Sequence, residues 1–507
     1  MASRRDELNA YTFAKRRMLA AFTHSSPGSE EGAPRPLRGV IPGAIVGVVV
    51  MAVFGAWGMF KPTAPKGWDE PGAKVIVASK STTRYVVLTT GGQKQLHPVL
   101  NMASARLLLD AGKGDVVQVA ESVLDSGKIK HGVTIGIPYA PDRLPDPGEA
   151  GKAKRWAICE RPSAGGESIQ RAALVLASRD MDATEGANRL TGGQLLYVQD
   201  PEGKRYVVDA GGRAYGVDKS DELLLRAVVG SGRQAQKVSK EWMATLHTGN
   251  AITFPSVGSG VGDKANAPGQ LDEDTDRVGM VLKASDLNKD QYYVVLPGRV
   301  APITPFVAQL LLFSKELAKP LGQDGKAKAM SPGEIVPGAP FGTEYTWPTE
   351  LPQPVNDPST DAGSRSTVCN VLRSVDGGTG ATTLSTWAGT GFPESLPTGS
   401  SSGYVTPGSG QLYRQFQGTE TKAGPVFLVT DTGLRYVLQS NADSATDDAG
   451  IGVTPEKLKQ QQQEAKQAQT LLGYANVDPT PIPASWSEFL PTGPRLSTAA
   501  ARQPQGS

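Results

Sequence analysis

The sequence predicts an α+β protein in which a single transmembrane helix precedes an extracytoplasmic body of four ββ-helix repeats around a central, β-rich core. Three observations predict that class. Gly39 to Phe60, GVIPGAIVGVVVMAVFGAWGMF, runs 22 residues without a charge between Arg38 and Lys61. Beyond it, a pattern of apolar strand, polar turn, second strand opening on an aromatic and then a helical stretch returns four times. Each of the two cysteines stands in a strand-like apolar run within the turn-rich blocks that separate the copies.

At about 1.5 Å of rise per residue the charge-free run spans roughly 30 Å, the thickness of a bilayer's hydrocarbon core. A soluble core helix of that length would keep a polar face, and this one has none. A cleaved signal peptide would begin nearer the N-terminus and end at a small-x-small site, whereas Trp57, Met59 and Phe60 crowd this end. Orientation follows from the flanks. Arg4, Arg5, Lys15, Arg16, Arg17, Arg35 and Arg38 precede the run against four acids, which puts the N-terminus in the cytoplasm and everything after Lys61 outside the cytoplasmic membrane.

Residues 1–24 read as a cytoplasmic amphipathic helix, with Asp6 a candidate N-cap and Leu8, Tyr11, Met18 and Phe22 on one stripe. Opposite lies a basic face, Lys15, Arg16 and Arg17, suited to anionic lipid or to a cytoplasmic partner. Residues 25–38 form a linker, and 39–60 the span.

The body divides by composition. Residues 61–130 hold a stalk and the first copy (VIVASKSTTRYVVLTTGG), 131–190 a first part of the core, and 191–275 the second copy (LLYVQDPEGKRYVVDAGG) with a loop. Residues 276–329 hold the third (VGMVLKASDLNKDQYYVVLPG), 330–420 a second part of the core, and 421–495 the fourth (PVFLVTDTGLRYVLQSNAD). Tyr85, Tyr206, Tyr293 and Tyr436 are the equivalent aromatics. Turns such as Asp200-Pro201-Glu202-Gly203 and Asp431-Thr432-Gly433 make hairpins the natural reading. A unit of this size cannot bury its own apolar face, so the copies pack on one another or on a shared centre. The last dozen residues, 496–507, lack apolar content and read as a disordered tail.

Composition narrows the chemistry. A net charge of +2 leaves no electrostatic footprint for nucleic acid. Two cysteines outside the membrane, Cys159 and Cys369, suggest one disulfide, with two buried thiols the alternative. The four histidines are scattered, with no Cys or His at metal-ligand spacing; His97 reads as a surface or hydrogen-bonded loop residue. Gly258 to Ala265 approaches a P-loop but places Asp263 before Lys264 and no Ser or Thr after it. Asp272, Glu273, Asp274 and Asp276 lack EF-hand spacing and read as a solvated loop. No catalytic, cofactor-binding or metal-binding residue, and no cofactor, is assigned.

Several segments together are similar to one family. TFAKRRMLAAF in the first helix, the single span, LHPVLNMASARLLL, GIPYAP followed by WAIC, the late second cysteine and the closing SWSEFLPTGPRLSTAAA resemble EccB, a membrane component of the type VII (ESX) secretion systems of actinobacteria. The resemblance implies four repeats around a central core, with a disulfide between Cys159 and Cys369. It implies assembly as a homo-oligomer with an EccC-type ATPase, EccD, EccE and the mycosin protease into a membrane complex that exports proteins. Members of the family are sometimes labelled ATPases, a label no residue here supports. A nucleotide-hydrolysing component and a cell-wall-binding membrane protein are the alternative readings.

Overall fold

A computed structural model of the chain describes residues 4–23, 37–60, 64–163, 168–286, 289–359, 361, 363–396, 402–438, 463 and 465–505. They fall into two units, Met1–Thr63 and Ala64–Ser507.

The first unit is helical. Its opening helix, Arg4–Thr23, starts two residues before Asp6, so Asp6 lies in the first turn and not at the N-cap expected for it. There its charge still complements the positive end of the helix dipole. Leu8, Tyr11, Met18 and Phe22 are all exposed, as are Lys15, Arg16 and Arg17. The expected linker lies mostly outside the described residues, and Leu37 and Arg38 already belong to the second helix, Leu37–Phe60. Side chains of that helix are described for residues 40–55, every one exposed. Among the described residues no helix is long and apolar enough to cross a membrane.

The second unit contains four sheets built on a three-stranded meander, each with a strand that returns parallel to the first. In the first, Lys74–Ala78, Arg84–Thr90 and Gln93–Val99 form an antiparallel meander. The helix Met102–Leu107 follows, capped by Asn101. The chain then returns as Asp115–Val119 parallel to the first strand and as Lys130–His131 parallel to the third. The two-residue turn Gly91–Gly92 has φ of 61° and 77°, the paired positive values that a tight hairpin matched to strand twist requires. The second sheet repeats the order with Gln194–Gln199, Arg205–Asp209, Arg213–Val217, helix Glu222–Val229, Gln236–Lys237 and His247–Thr248. The third has Val281–Asp286, Lys289–Leu296, Arg299–Ile303, helix Pro305–Phe313 and Lys328–Met330. The fourth has Gly410–Phe416, Val426–Thr430, Arg435–Val437 and the returning Thr480–Pro483.

These pairings move two expected boundaries. Gly410–Phe416, assigned by composition to the core block 330–420, is the first strand of the fourth sheet. His131 and Ile135, assigned to the block 131–190, pair with the first sheet.

A five-stranded central sheet joins the two turn-rich blocks in the order Thr382–Gly389, Thr367–Val375, Arg155–Pro162, Ile169–Leu176, Gly403–Val405. Its two hairpins meet antiparallel with Cys159 directly opposite Cys369. Ala172 faces Cys159 within one hairpin and Trp387 faces Cys369 within the other, so the two hairpins are related by an approximate two-fold through the cysteines. Strand alternation gives the sheet two faces. Trp156 and Ile158 point into a core shared with the second and fourth sheets, while Ala157 and Cys159 point to the other side, under Phe392, Leu396 and Tyr404. Further cores join the second sheet to the third and the first to the fourth.

The expected disordered tail is corrected by the same cores. Thr498–Ala501 is helical, capped by Ser497, and Ala501 is fully buried with the first sheet. The residues are small enough to fit where bulkier apolar side chains would be needed to signal burial in the sequence.

Candidate functional site

At the centre of the body Cys159 and Cys369 form a disulfide, S–S 2.04 Å, with both residues wholly buried. Glu160, the next residue along, points to the opposite face and is also without solvent exposure. Its Oε2 accepts from the Ser239 amide at 2.8 Å and its Oε1 from the Ser239 hydroxyl at 2.5 Å, with Arg171 Nε at 3.3 Å. Ser239 in turn caps the short helix Lys240–Met243 by accepting from the Trp242 amide, and Trp242 Nε1 donates to Ile158 O at 3.1 Å. The second sheet is therefore stapled to the central one by a buried carboxylate and a buried indole. Asn370, the two-fold counterpart of Glu160, reaches the same segment and donates to Thr245 O at 2.7 Å.

Burial pushes the Glu160 carboxyl above the usual range, against the hydrogen bonds from Ser239 and the charge of Arg171. A raised folded-state pKa contributes stability that is full below the unfolded value of about 4.3 and is lost as pH rises through the folded value. Glu160→Gln cannot ionise. The urea midpoint of the wild type is therefore expected to fall relative to that of Glu160→Gln as pH rises from about 4; a constant difference across the titration would refute the assignment.

A second acid behaves in the opposite way. Glu185 accepts from Arg155 at 2.5 Å and Arg189 at 2.9 Å, and pairs with Arg373, joining the two hairpins of the central sheet. Burial opposes its charge, but the hydrogen bonds from Arg373 and Arg189 and the field of Arg155 hold its pKa below the ordinary value.

The four aromatics separate. Tyr85, Tyr206 and Tyr293 lie on second strands, each between a first-strand residue (Ile76, Val198, Leu282) and a third-strand residue (Pro98, Gly216, Pro302). Tyr436 lies on the third strand of its sheet; the position with the same neighbours is Phe427, between Tyr413 and Val437. The long connection 417–425 hides the first strand of that sheet, so the sequence pattern slips by one strand. Tyr436 instead matches Tyr215, also on a third strand. Both hold a proline-rich strap from the neighbouring sheet: Tyr215 Oη lies 2.7 Å from Thr346 O, and Tyr436 Oη donates to Tyr139 O at 3.4 Å.

The remaining candidates are structural in their contacts. Asp272 Oδ1 accepts from the Thr275 amide and Asp276 Oδ1 from Ala267, which closes the acidic loop on itself. Among the described residues no group of three or more His, Cys, Asp or Glu could hold a metal ion. Lys264 pairs through its backbone with Arg277, and Ala265 is buried in the core of the second and third sheets. His97 is on a strand, not in a loop; it is buried, with Nδ1 2.9 Å from Val133 O.

A cleft of about 430 Å³ opens where the helix Lys240–Met243 and the helix Ala484–Ser487 approach the strand Ile169–Leu176, lined by Arg171, Ala173, Lys240, Glu241, Glu488 and Phe489. Sequence reasoning missed Glu160, Glu185, Tyr215 and Trp242. Only the last left a signal, a serine cap three residues before an aromatic in SKEW.

Residues 1–506 match the model of the type VII secretion system ESX-1 family described as transport TM domain B. The chain is 25% identical over 533 residues to the ESX-3 secretion system ATPase EccB3 of Mycobacterium tuberculosis, covering 98% of this chain and 88% of that protein. It is 26% identical over 279 residues to the ESX-1 secretion system ATPase EccB1 of Mycolicibacterium smegmatis, an alignment spanning about half, 54%, of each. Among solved structures it is similar to a chain of an intact ESX-5 inner membrane complex, with TM-score 0.55 and 19% identity, covering 100% of this chain and 96% of that one. It is also similar to the EccB3 dimer from the ESX-3 core complex, with TM-score 0.54 and 23% identity over 85% of this chain and 99% of that one. These likenesses show the fold.

Proposed function

Since the chain belongs to the EccB family of type VII (ESX) secretion systems, we propose that it is a membrane-anchored structural and assembly subunit of such a complex, contributing to protein export across the cytoplasmic membrane. The single observation that carries this reading is the family match over residues 1–506, joined to a body in which four sheets repeat a meander with a returning parallel strand and in which buried polar groups staple one sheet to another.

In this reading residues 39–60 cross the membrane once. Support comes from the charge-free sequence from Gly39 to Phe60, which lies within the helix Leu37–Phe60, and from apolar side chains such as Val48 and Phe54 that are exposed among the described residues. The basic N-terminal segment stays in the cytoplasm, where Lys15, Arg16 and Arg17 meet a partner or the inner leaflet. The body, built of four copies of one unit around the disulfide-centred sheet, stands outside. Its partners are an EccC-type ATPase, EccD, EccE and the mycosin protease, together with further copies of itself.

The test is extraction in mild detergent followed by native electrophoresis and mass spectrometry, with protease added to intact protoplasts in parallel. Migration in a large complex with an FtsK-like ATPase, and removal of the body by protease, are the expected results. Migration of the chain alone, or turnover of nucleotide by the purified full-length chain, would overturn the reading.

A further inference from the structure

Three arginines share one carboxylate at the end of the central sheet. Glu185 Oε1 accepts from Arg155 Nη1 at 2.5 Å and from Arg373 Nη1, and its Oε2 accepts from Arg189 Nη1 at 2.9 Å. Arg155 opens the strand Arg155–Pro162, and Arg373 follows Leu372, the cross-strand partner of Trp156. Glu185 and Arg189 come from the segment after the strand Ile169–Leu176, and residues 177–190 are described throughout. Among the described residues no other acid lies within ion-pair distance of the three arginines, so two positive charges are left unmatched.

The unmatched charge is not out in solvent. The Arg373 and Arg155 side chains keep only 12% and 19% exposure, and Arg155 Nε is buried without a hydrogen-bond partner among the described residues. Burial, with the fields of Arg155 and Arg189, holds the Arg373 guanidinium below the ordinary arginine range, against its bond to Glu185. Charge taken from water in this way is costly until something of opposite sign matches it. Access is open on one side, where the Arg189 side chain is 43% exposed. A guanidinium carries five donors. Arg189 places one on Glu185, and Arg155 uses Nη1 alone, on Met181 O and Glu185, so the other N–H groups of both are free to meet a ligand.

We propose that this cluster binds a tetrahedral dianion of the phosphate class, as the free ion or as a monoester. A phosphate group carries about 1.5 to 2 negative charges at pH 7 and three strong acceptor oxygens, which match the excess charge and the guanidinium forks together. A single carboxylate would leave part of the excess in place. This inference is independent of the export reading. A role confined to tying the two hairpins together predicts the opposite sign for one substitution, Glu185→Gln, which weakens the tie but removes the negative charge that repels a ligand.

The test is calorimetric titration of the purified full chain in detergent with inorganic phosphate at constant ionic strength, with the melting temperature of each variant measured alongside. Saturable binding is expected, about tenfold weaker in Arg189→Gln, the loss of one charge-assisted hydrogen bond at a partly exposed position. Glu185→Gln is expected to bind about tenfold more tightly while melting lower without phosphate. Dimethyl phosphate, a monoanion, is expected to bind more weakly than inorganic phosphate. Methyl phosphate competes if the ligand is a monoester and fails to compete if it is the free ion. Absence of saturable binding, wild-type affinity in Arg189→Gln, weaker binding by Glu185→Gln, or dimethyl phosphate binding as tightly as inorganic phosphate would each overturn the proposal.

Discussion

Replacing Cys159 and Cys369 by alanine together is expected to lower the unfolding free energy of the body by roughly 5 kcal/mol, the loop-closure value for a bridge spanning a sequence separation of 210. Few single features of a chain this size hold so long a loop. The bond also sits where two hairpins from distant parts of the chain meet in register, so its loss frees the contact between the blocks and not merely one loop. The measurement is urea unfolding of wild type, double alanine variant and reduced wild type. The last two should coincide at a midpoint well below the first. Coincidence of all three would mean that the packing of the central sheet alone defines the junction.

Trp242→Ala is expected to cost about 3 to 5 kcal/mol, the range for removing a large aromatic from a core that cannot collapse around the space. Trp242 is 0% exposed, and its ring packs between the second sheet and the central one while its Nε1 holds Ile158 O. Trp486, at 1% exposure, occupies the corresponding short helix against the fourth sheet. Trp486→Ala is therefore expected to cost a similar amount, and a loss below about 1 kcal/mol for either would show that the helices sit on the central sheet without stapling it.

Much of this architecture could be read before any coordinates. The charge-free run is helical, the aromatic-led strands at Tyr85, Tyr206 and Tyr293 are second strands, and the two cysteines pair. What escaped has physical causes. The third strands of the first and third sheets contain Pro98 and Pro302, and proline argues against a strand because it lacks the ladder donor. Here Ile135 donates to Pro98 O and Phe341 to Pro302 O, both at 3.0 Å, so the prolines turn toward the outer edge and leave the inner ladder intact. The returning parallel strands were hidden by length, since a two-residue pairing such as Gln236–Lys237 has no periodicity to detect. Glu160 was hidden for another reason. A carboxylate among apolar neighbours gives no local sign of whether a serine 79 residues away will satisfy it.

The closing segment of the chain has a consequence for the order of events in folding. Ala501 lies in the same core as Val75 and Leu107, and Gln505 N donates to Thr134 O at 2.8 Å. A polypeptide synthesised N-terminus first thus exposes its opening sheet with an unfinished apolar layer until residues 498–505 arrive to seal it. Maturation ends where it began, and a chain cut short by a dozen residues would present that raw surface permanently.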